Sequence, residues 1–514
     1  MYFRGIGDHG LIDSVEGVNA SVAAHMLGGE NYFVPKIGES LTAGSTMGTW
    51  WLMAVALKIF GWGEFATRFW SALSGIGMIL LSSLLARSVS VDDDESANPG
   101  RRSWLGASLC AGMTACFAVS QIASSHALFS FLISLTLLGV IRAQKERDWL
   151  MAAHASIAFA FMIHGPAGLF MPFIAVSAYC VLCNDMELLK DFFTYPFGII
   201  INLVLSGLYL VVLMIFNPQV VFFMFCRNHI YTFGGIGGAL IFLFAAFAPF
   251  HGFLIQALME IFPREYPTSK SEELLMLVWA LTFGAYAIFS GDVMMIAATI
   301  PALSAILAVR LDFWLRGKML PIRYAVMLNF FILVPAFYIL LPLTKKYFPL
   351  INGALMSLIP YEFALALFLF ASWYYTRTRQ IEKWARNVPI AALICLMPAV
   401  GVFSLTADMY SIREIGLKLR DTVQGSDIVM QFEVNHPSMY FYTFRNSILI
   451  NAPLTPGVEE RKLTAAVPYI SAQWVRRNRI FLLTPADRLN EAKLPGKSVY
   501  PVLEIKGLLL MTNK

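Results

Sequence analysis

The sequence predicts a mainly α-helical polytopic membrane protein. About twelve transmembrane helices are expected, with interfacial helices near the start and a small external α/β domain at the end. Three observations carry this expectation. The 514 residues are 58% hydrophobic and only 14% charged, where a soluble globular protein is typically about 25% charged; mean hydropathy is +0.64. Apolar runs long enough to cross a bilayer recur from residue 66 to residue 406. After about 406 the pattern changes to short apolar stretches separated by polar turns.

The first element is "GLIDSVEGVNASVAAHMLGG", residues 10–29. Val15, Val18, Val22 and Met26 fall at spacings of three and four, the stripe of an amphipathic helix over 14–27. Asp13 stands where an N-cap would, and Glu16 follows three residues later, as in a capping box. Gly28 and Gly29 stop the helix. The two acids therefore read either as a helix cap or as an active-site pair. The next element, "MGTWWLMAVALKIFGW" at 47–62, is short for a span and rich in Trp, which suits the membrane interface. Residues 1–65 are expected to be an external segment.

Candidate spans follow at 66–86, 104–122, 124–142, 149–164, 166–184, 197–216, 235–257, 274–290, 292–310, 323–343, 362–377 and 388–406. Alternate connections are basic: "RRS" at 101–103, "RAQKERD" at 142–148, "RLDFWLRGK" at 310–318 and "RTRQIEKWAR" at 377–386. Those between them, "ASSH", "HGPAG" and "SGD", are nearly neutral. The positive-inside rule makes the basic set cytoplasmic. This puts residues 1–65 and 407–514 on the outer side of the inner (cytoplasmic) membrane. "MYFRGIGDHG" lacks the apolar core of a signal peptide, so a thirteenth helix is expected upstream of Met1, with "YFRGIG" as its tail. All six cysteines lie in or beside spans, which leaves the external domain no disulfide framework. Within 407–514, "SDIVMQFE", "NSILIN", "RIFLLTP", "VYPVLEI" and "GLLLMTN" read as strands and "ADRLNEAKL" as a helix.

Three stretches carry a family resemblance. "GLIDSVEGVNASVAAHML" is similar to "GLxDPDExRYAExAREML", "LKIFGWGEFATRFWSALSG" to "FKLFGxxEFAARLPSALxG", and "HPSMYFYTFRNSILIN" to "xPSLxFYTGRxVxLV". In that order they resemble the GT-C glycosyltransferases, above all the lipid A aminoarabinose transferases and the protein O-mannosyltransferases. The resemblance implies transfer of a sugar from a polyprenyl-phosphate donor to an envelope lipid, glycan or protein acceptor at the outer face. It divides the chain into an external segment 1–65, a GT-C-like membrane domain 66–406 and an external α/β domain 407–514. Such chemistry asks for a carboxylate that activates or orients the acceptor hydroxyl and for cationic groups that bind the departing lipid phosphate.

Several chemical positions of the family differ here. Its adjacent Asp-Glu pair aligns with Val15 and Glu16, "EKPP" falls on "AGST" at 43–46, and "KGP" is His164-Gly165-Pro166. "GPWYYY" corresponds to "GGIGGA" at 234–239, and "SxxKLPxY" approximately to "FSGDVMM" at 289–295.

Glu16 and Asp13 are the catalytic candidates. His164, Arg227, His229 and Asp292 are the substrate-binding candidates. His164 stands at the family's lysine position, Arg227 is one of few external cations and suits phosphate, and Asp292 is ionisable beside the membrane. His126, His154 and His251 show no ligand spacing and read as packed or interfacial. No nucleotide-binding glycine motif, zinc spacing or serine-triad signature occurs, so no cofactor, metal or nucleic-acid partner is expected. A non-catalytic relative serving as a scaffold in envelope glycan assembly is the alternative. A transporter comes third, because no internal repeat is visible.

Overall fold

The computed structural model describes residues 1–28, 32–37, 40–42, 46–89, 98–218, 220–221, 225, 244–261, 271–316, 319–347, 355–453, 458–459, 470, 473–475, 478–494 and 499–514. The protein is mainly helical. Among the described residues, six helices are long and apolar enough to cross a membrane, or seven if one bent pair counts as a single span. The chain is a polytopic membrane protein that divides into two compact units.

The first unit comprises Met1–Arg4, Arg68–Met214 and Met224–Phe403. Its candidate spans are Glu64–Ser88, which begins in the second unit, His126–Ala143, Pro166–Cys183, Pro196–Phe216, Ser271–Ser290 and Val293–Leu315. The bent pair is Pro99–Gly112 with Thr114–Ser120, which turn by 62°. The bend falls at Met113, whose backbone is extended. The freed N–H of Thr114 finds the Ala248 carbonyl instead (3.2 Å), as buried backbone must.

Chain reversal between Trp149–His164 and Pro166–Cys183 takes a single residue, Gly165, with φ +74°. Gly168 then lets the two backbones touch: a Cβ there would lie 2.3 Å from the Ala160 carbonyl carbon. "HGPAG" is thus a tight corner, and it fixes His164 at the helix end.

Ionisable groups gather at both ends of the buried span Val293–Leu315. At one end Asp312, with no exposed side-chain surface, meets Arg101 Nε (2.5 Å), Arg102 Nε (3.0 Å) and Arg316. Beside it Arg310 pairs with Glu273. Two of the basic connections, "RRS" and "RLDFWLRGK", supply most of these groups. Asp292 stands before the other end, 20 residues away. With ~2.0 Å per residue over the 3₁₀ stretch Val293–Thr299 and ~1.5 Å over the α-helix beyond it, that is roughly 33 Å, close to the thickness of a hydrocarbon core.

The second unit comprises Gly5–Thr67, Ile215–Phe223 and Ser404–Lys514. Its five-stranded sheet has the order β4-β3-β6-β8-β7, from β3 (Ile428–Phe432), β4 (Ser447–Ile450), β6 (Ile480–Pro485), β7 (Tyr500–Ile505) and β8 (Leu508–Thr512). β3 runs parallel to both β4 and β6, whereas β8 is antiparallel to β6 and β7. The two-residue β7–β8 turn, Lys506-Gly507, has φ +55° and +75°, the doubly positive turn that matches strand twist. Met430, Phe432, Ile450, Ile480, Leu482 and Met511 form the core of this sheet.

All five stretches expected as strands are strands. "ADRLNEAKL" is a 3₁₀ turn, Ala486–Ala492, instead of an α-helix. Pro485 opens it and Lys493 (φ +45°) ends it after seven residues. A small antiparallel sheet joins β1 (Lys36–Ile37), β2 (Ser40–Thr42) and β5 (Val458–Glu459). The helices α1 (Val18–Leu27) and α2 (Met47–Phe60) complete the parts that matter for the site.

Candidate active site

The chain enters α1 through one π-helical turn, Asp13–Gly17. The N–H groups of Val15, Glu16 and Gly17 all converge on the Ile12 carbonyl. Such wide turns are rare and frequently mark functional positions.

Asp13 does not cap this turn. Ile12 occupies the cap position, and the Asp13 carboxylate reaches instead to the other end of the sequence. Oδ1 accepts the Ser438 backbone N–H (2.8 Å) and Oδ2 meets Nδ1 of His436 (2.7 Å). Glu16 keeps half of the expected capping box, one residue early: its Oε2 accepts the Ile12 N–H (2.8 Å). Both acids are buried, Glu16 completely.

The stripe expected on one face of α1 becomes burial on nearly every side, Val18 through Met26. The polar faces are tolerated because each finds a partner. Asn19 Oδ1 accepts from Trp50 Nε1 (2.9 Å) on α2. Ser21 Oγ donates to the Pro437 carbonyl (2.7 Å) and accepts from the Phe441 N–H (3.2 Å). His25 packs against the Tyr440 ring.

A second polar knot lies in the same unit. The Tyr442 hydroxyl accepts the Leu11 N–H (2.9 Å) and donates to Glu64 Oε1 (3.2 Å). Arg413 Nε completes it 3.0 Å from the same oxygen. Burial, and then the Glu64 charge, push the Tyr442 phenol well above its ordinary pKa. Trp62 donates to the Phe441 carbonyl (2.9 Å) and stacks on its ring. Residues 10–27, Trp62, Glu64 and 436–444 therefore assemble one polar site within the second unit. Sequence reasoning misses His436, Tyr442 and Glu64 as site residues, although all three fall within the family-like stretches. The signal available was a His, a Tyr and a Glu set among apolar neighbours.

In the first unit, His164 and Asp292 come together, and His126 joins them. His126 Nε2 lies 3.0 and 2.9 Å from the two Asp292 oxygens. A carboxylate only accepts, so Nε2 carries a hydrogen, and Nδ1 lies 3.1 Å from Ser124 Oγ. His164 Nε2 is 3.8 Å from Asp292 Oδ2, and its Nδ1 is 3.0 Å from Ser125 Oγ. The three neutral connections "ASSH", "HGPAG" and "SGD" thus meet in one buried cluster. Arg227 and His229 lie outside the described residues. No group of three His, Cys, Asp or Glu side chains among the described residues has the arrangement of a metal site.

The fold is that of the GT-C membrane glycosyltransferases. It matches ArnT from Cupriavidus metallidurans, in its apo state, with TM-score 0.75 and 16% identity, covering 100% of this chain and 96% of that one. The undecaprenyl phosphate complex of the same ArnT matches with TM-score 0.75 and 15% identity over the same shares. Residues 45–211 match the dolichyl-phosphate-mannose-protein mannosyltransferase family. Over 211 residues the chain is 29% identical to an uncharacterized protein of Aquifex aeolicus (strain VF5). That alignment covers 40% of each protein, well under two thirds of the relative's length.

Proposed function

We propose that this protein transfers a sugar from a polyprenyl-phosphate donor to an envelope lipid, glycan or protein acceptor at the outer face of the inner membrane. One observation carries the reading. The fold likeness runs the whole length of the chain, and the buried acids Asp13 and Glu16 are enclosed by the stretches that resemble the transferases. The undecaprenyl phosphate bound by the ArnT of Cupriavidus metallidurans supports a lipid-phosphate donor here. Arg227, His229, His164 and Asp292 are the groups assigned to substrate binding, the Arg227 guanidinium and the two imidazoles serving the phosphate.

The proposal includes twelve spans between residues 66 and 406 and the division at 1–65, 66–406 and 407–514. The first and last of these lie on the outer side. Supporting that orientation, arginine-rich and histidine-bearing connections gather at opposite ends of Val293–Leu315.

One feature favours the scaffold reading: Val15 occupies the family's Asp position, and Glu16 spends an oxygen on the helix start. Mass spectrometry of envelope lipids and glycans decides between them. A deletion strain is complemented with wild type, Glu16→Gln or Asp13→Asn at matched expression. A glycan that vanishes on deletion, returns with wild type and stays absent with Glu16→Gln is the expected result. Full rescue by both variants would remove the two carboxylates from the chemistry.

A further inference from the structure

We propose that His436, oriented by Asp13, is the general base that accepts the proton of the acceptor hydroxyl. The inference rests on the transferase reading above and names the group that replaces the missing family acid at Val15. Its basis is geometric. Asp13 Oδ2 lies 2.7 Å from His436 Nδ1. Because a carboxylate can only accept, Nδ1 carries the hydrogen and Nε2 presents a lone pair. Nε2 has no hydrogen-bond partner among the described residues, and the side chain keeps 19% of its surface exposed.

The rest of the residue is clamped. Its N–H donates to Gln431 Oε1 (2.8 Å) on β3. Gln431 Nε2 in turn donates to Ser447 Oγ (2.7 Å) on β4. Two residues on, the Ser438 N–H holds the other Asp13 oxygen. Among the described residues, Asp13 is the charged group that meets the ring. An imidazole with one nitrogen tied to a buried carboxylate and the other open is arranged as a base whose protonated form the carboxylate stabilises.

The step balances as a single displacement. The acceptor oxygen forms a bond to the anomeric carbon while the bond from that carbon to the phosphate oxygen breaks. The departing polyprenyl phosphate takes the electron pair. The hydroxyl proton moves to His436 Nε2, giving an imidazolium against the Asp13 carboxylate, and leaves later to water. Val15 has no part in it, which explains how an apolar residue is tolerated there.

The test uses the full chain in membranes of the deletion strain, with the glycan identified by mass spectrometry as readout. His436→Asn is the informative variant. Its amide nitrogen stands where Nδ1 does and keeps the hydrogen bond to Asp13, while the Nε2 base is gone. His436→Ala removes both. Both variants should lower the initial rate by about 10²- to 10⁴-fold, the usual cost of a lost general base. Binding of undecaprenyl phosphate should stay within about twofold, because neither variant touches a group assigned to the phosphate. A wild-type rate from His436→Asn would reduce His436 to a tether for Asp13 and overturn the proposal. Absence of any glycan that depends on the wild-type gene would instead overturn the transferase reading, and this inference with it.

Discussion

Gly17→Ala is a sharp test of the Asp13 contact, because the change adds one carbon and removes nothing. Gly17 has ordinary helical dihedrals, φ −58° and ψ −40°, so alanine brings no backbone strain. The added methyl would lie 2.7 Å from Asp13 Oδ1, 2.9 Å from the Ser438 nitrogen and 3.1 Å from Ser438 Cβ. Ordinary contact begins near 3.4 Å, so the carboxylate must retreat by about 0.7 Å or the Ser438 backbone must move. A retreat of that size stretches the 2.8 Å Ser438–Asp13 hydrogen bond to about 3.5 Å, beyond useful range.

A hydrogen bond to a charged group contributes about 1.5–3 kcal/mol. With ~1.4 kcal/mol per tenfold change, backbone exchange at Ser438 should quicken by roughly 10- to 100-fold. Hydrogen–deuterium exchange of peptides covering 436–443, read by mass spectrometry in detergent, measures this locally. Global melting is a poorer readout, since alanine also favours helix by ~0.5–1 kcal/mol. Gly207→Ala, where a Cβ meets nothing within 4 Å, is the control. Unchanged exchange over 436–443 in Gly17→Ala would refute the tight Asp13–Ser438 packing.

Two further perturbations separate the two units. Asp312→Asn leaves the nearly buried Arg102 guanidinium facing a neutral group, and breaking such a buried pair costs about 3–5 kcal/mol; the thermal midpoint in detergent should fall, and an unmoved midpoint would count against the cluster. Tyr442→Phe removes a phenol whose pKa is raised from 10.0 by burial and then by Glu64. The unfolded phenol ionises near pH 10 while the folded one stays protonated, so this share of stability is complete below pH 10 and lost as pH rises beyond it. The variant should lose about 1–3 kcal/mol at neutral pH through the unmet Leu11 N–H and show a shallower alkaline decline than wild type. Parallel declines above pH 10 would refute the assignment.

Regular elements were legible in the sequence wherever the signal was local. The run read at 166–184 is the helix Pro166–Cys183, and the five strand-like stretches after 406 form one sheet. The site was legible only in part. Asp13 and Glu16 satisfy a capping pattern that the chain honours through Glu16 alone, one residue earlier. What Asp13 binds is 423 residues away, beyond any window in which periodicity or capping can speak. His126 read as a lone packed histidine for the same reason, its carboxylate lying 166 residues on. The converse case is His164 and Asp292, picked from separate helix ends by chemistry and brought into one cluster by the fold.

The contact between Asp13 and His436 also sets a biosynthetic clock. Leu11, Asp13 and Ser21 take partners at Tyr442, His436 and Pro437, all made after the membrane-spanning region. At ~5–20 residues per second, the N-terminal acids wait roughly 20 to 85 s for the residues that will enclose them. Throughout that interval polar groups destined for burial must stay hydrated. The site therefore closes only after the apolar runs up to residue 406 have been made, and a chain cut short between residues 407 and 436 carries those runs but not the enclosed carboxylates. A check on the enclosed carboxylates would in effect check that translation had passed residue 442.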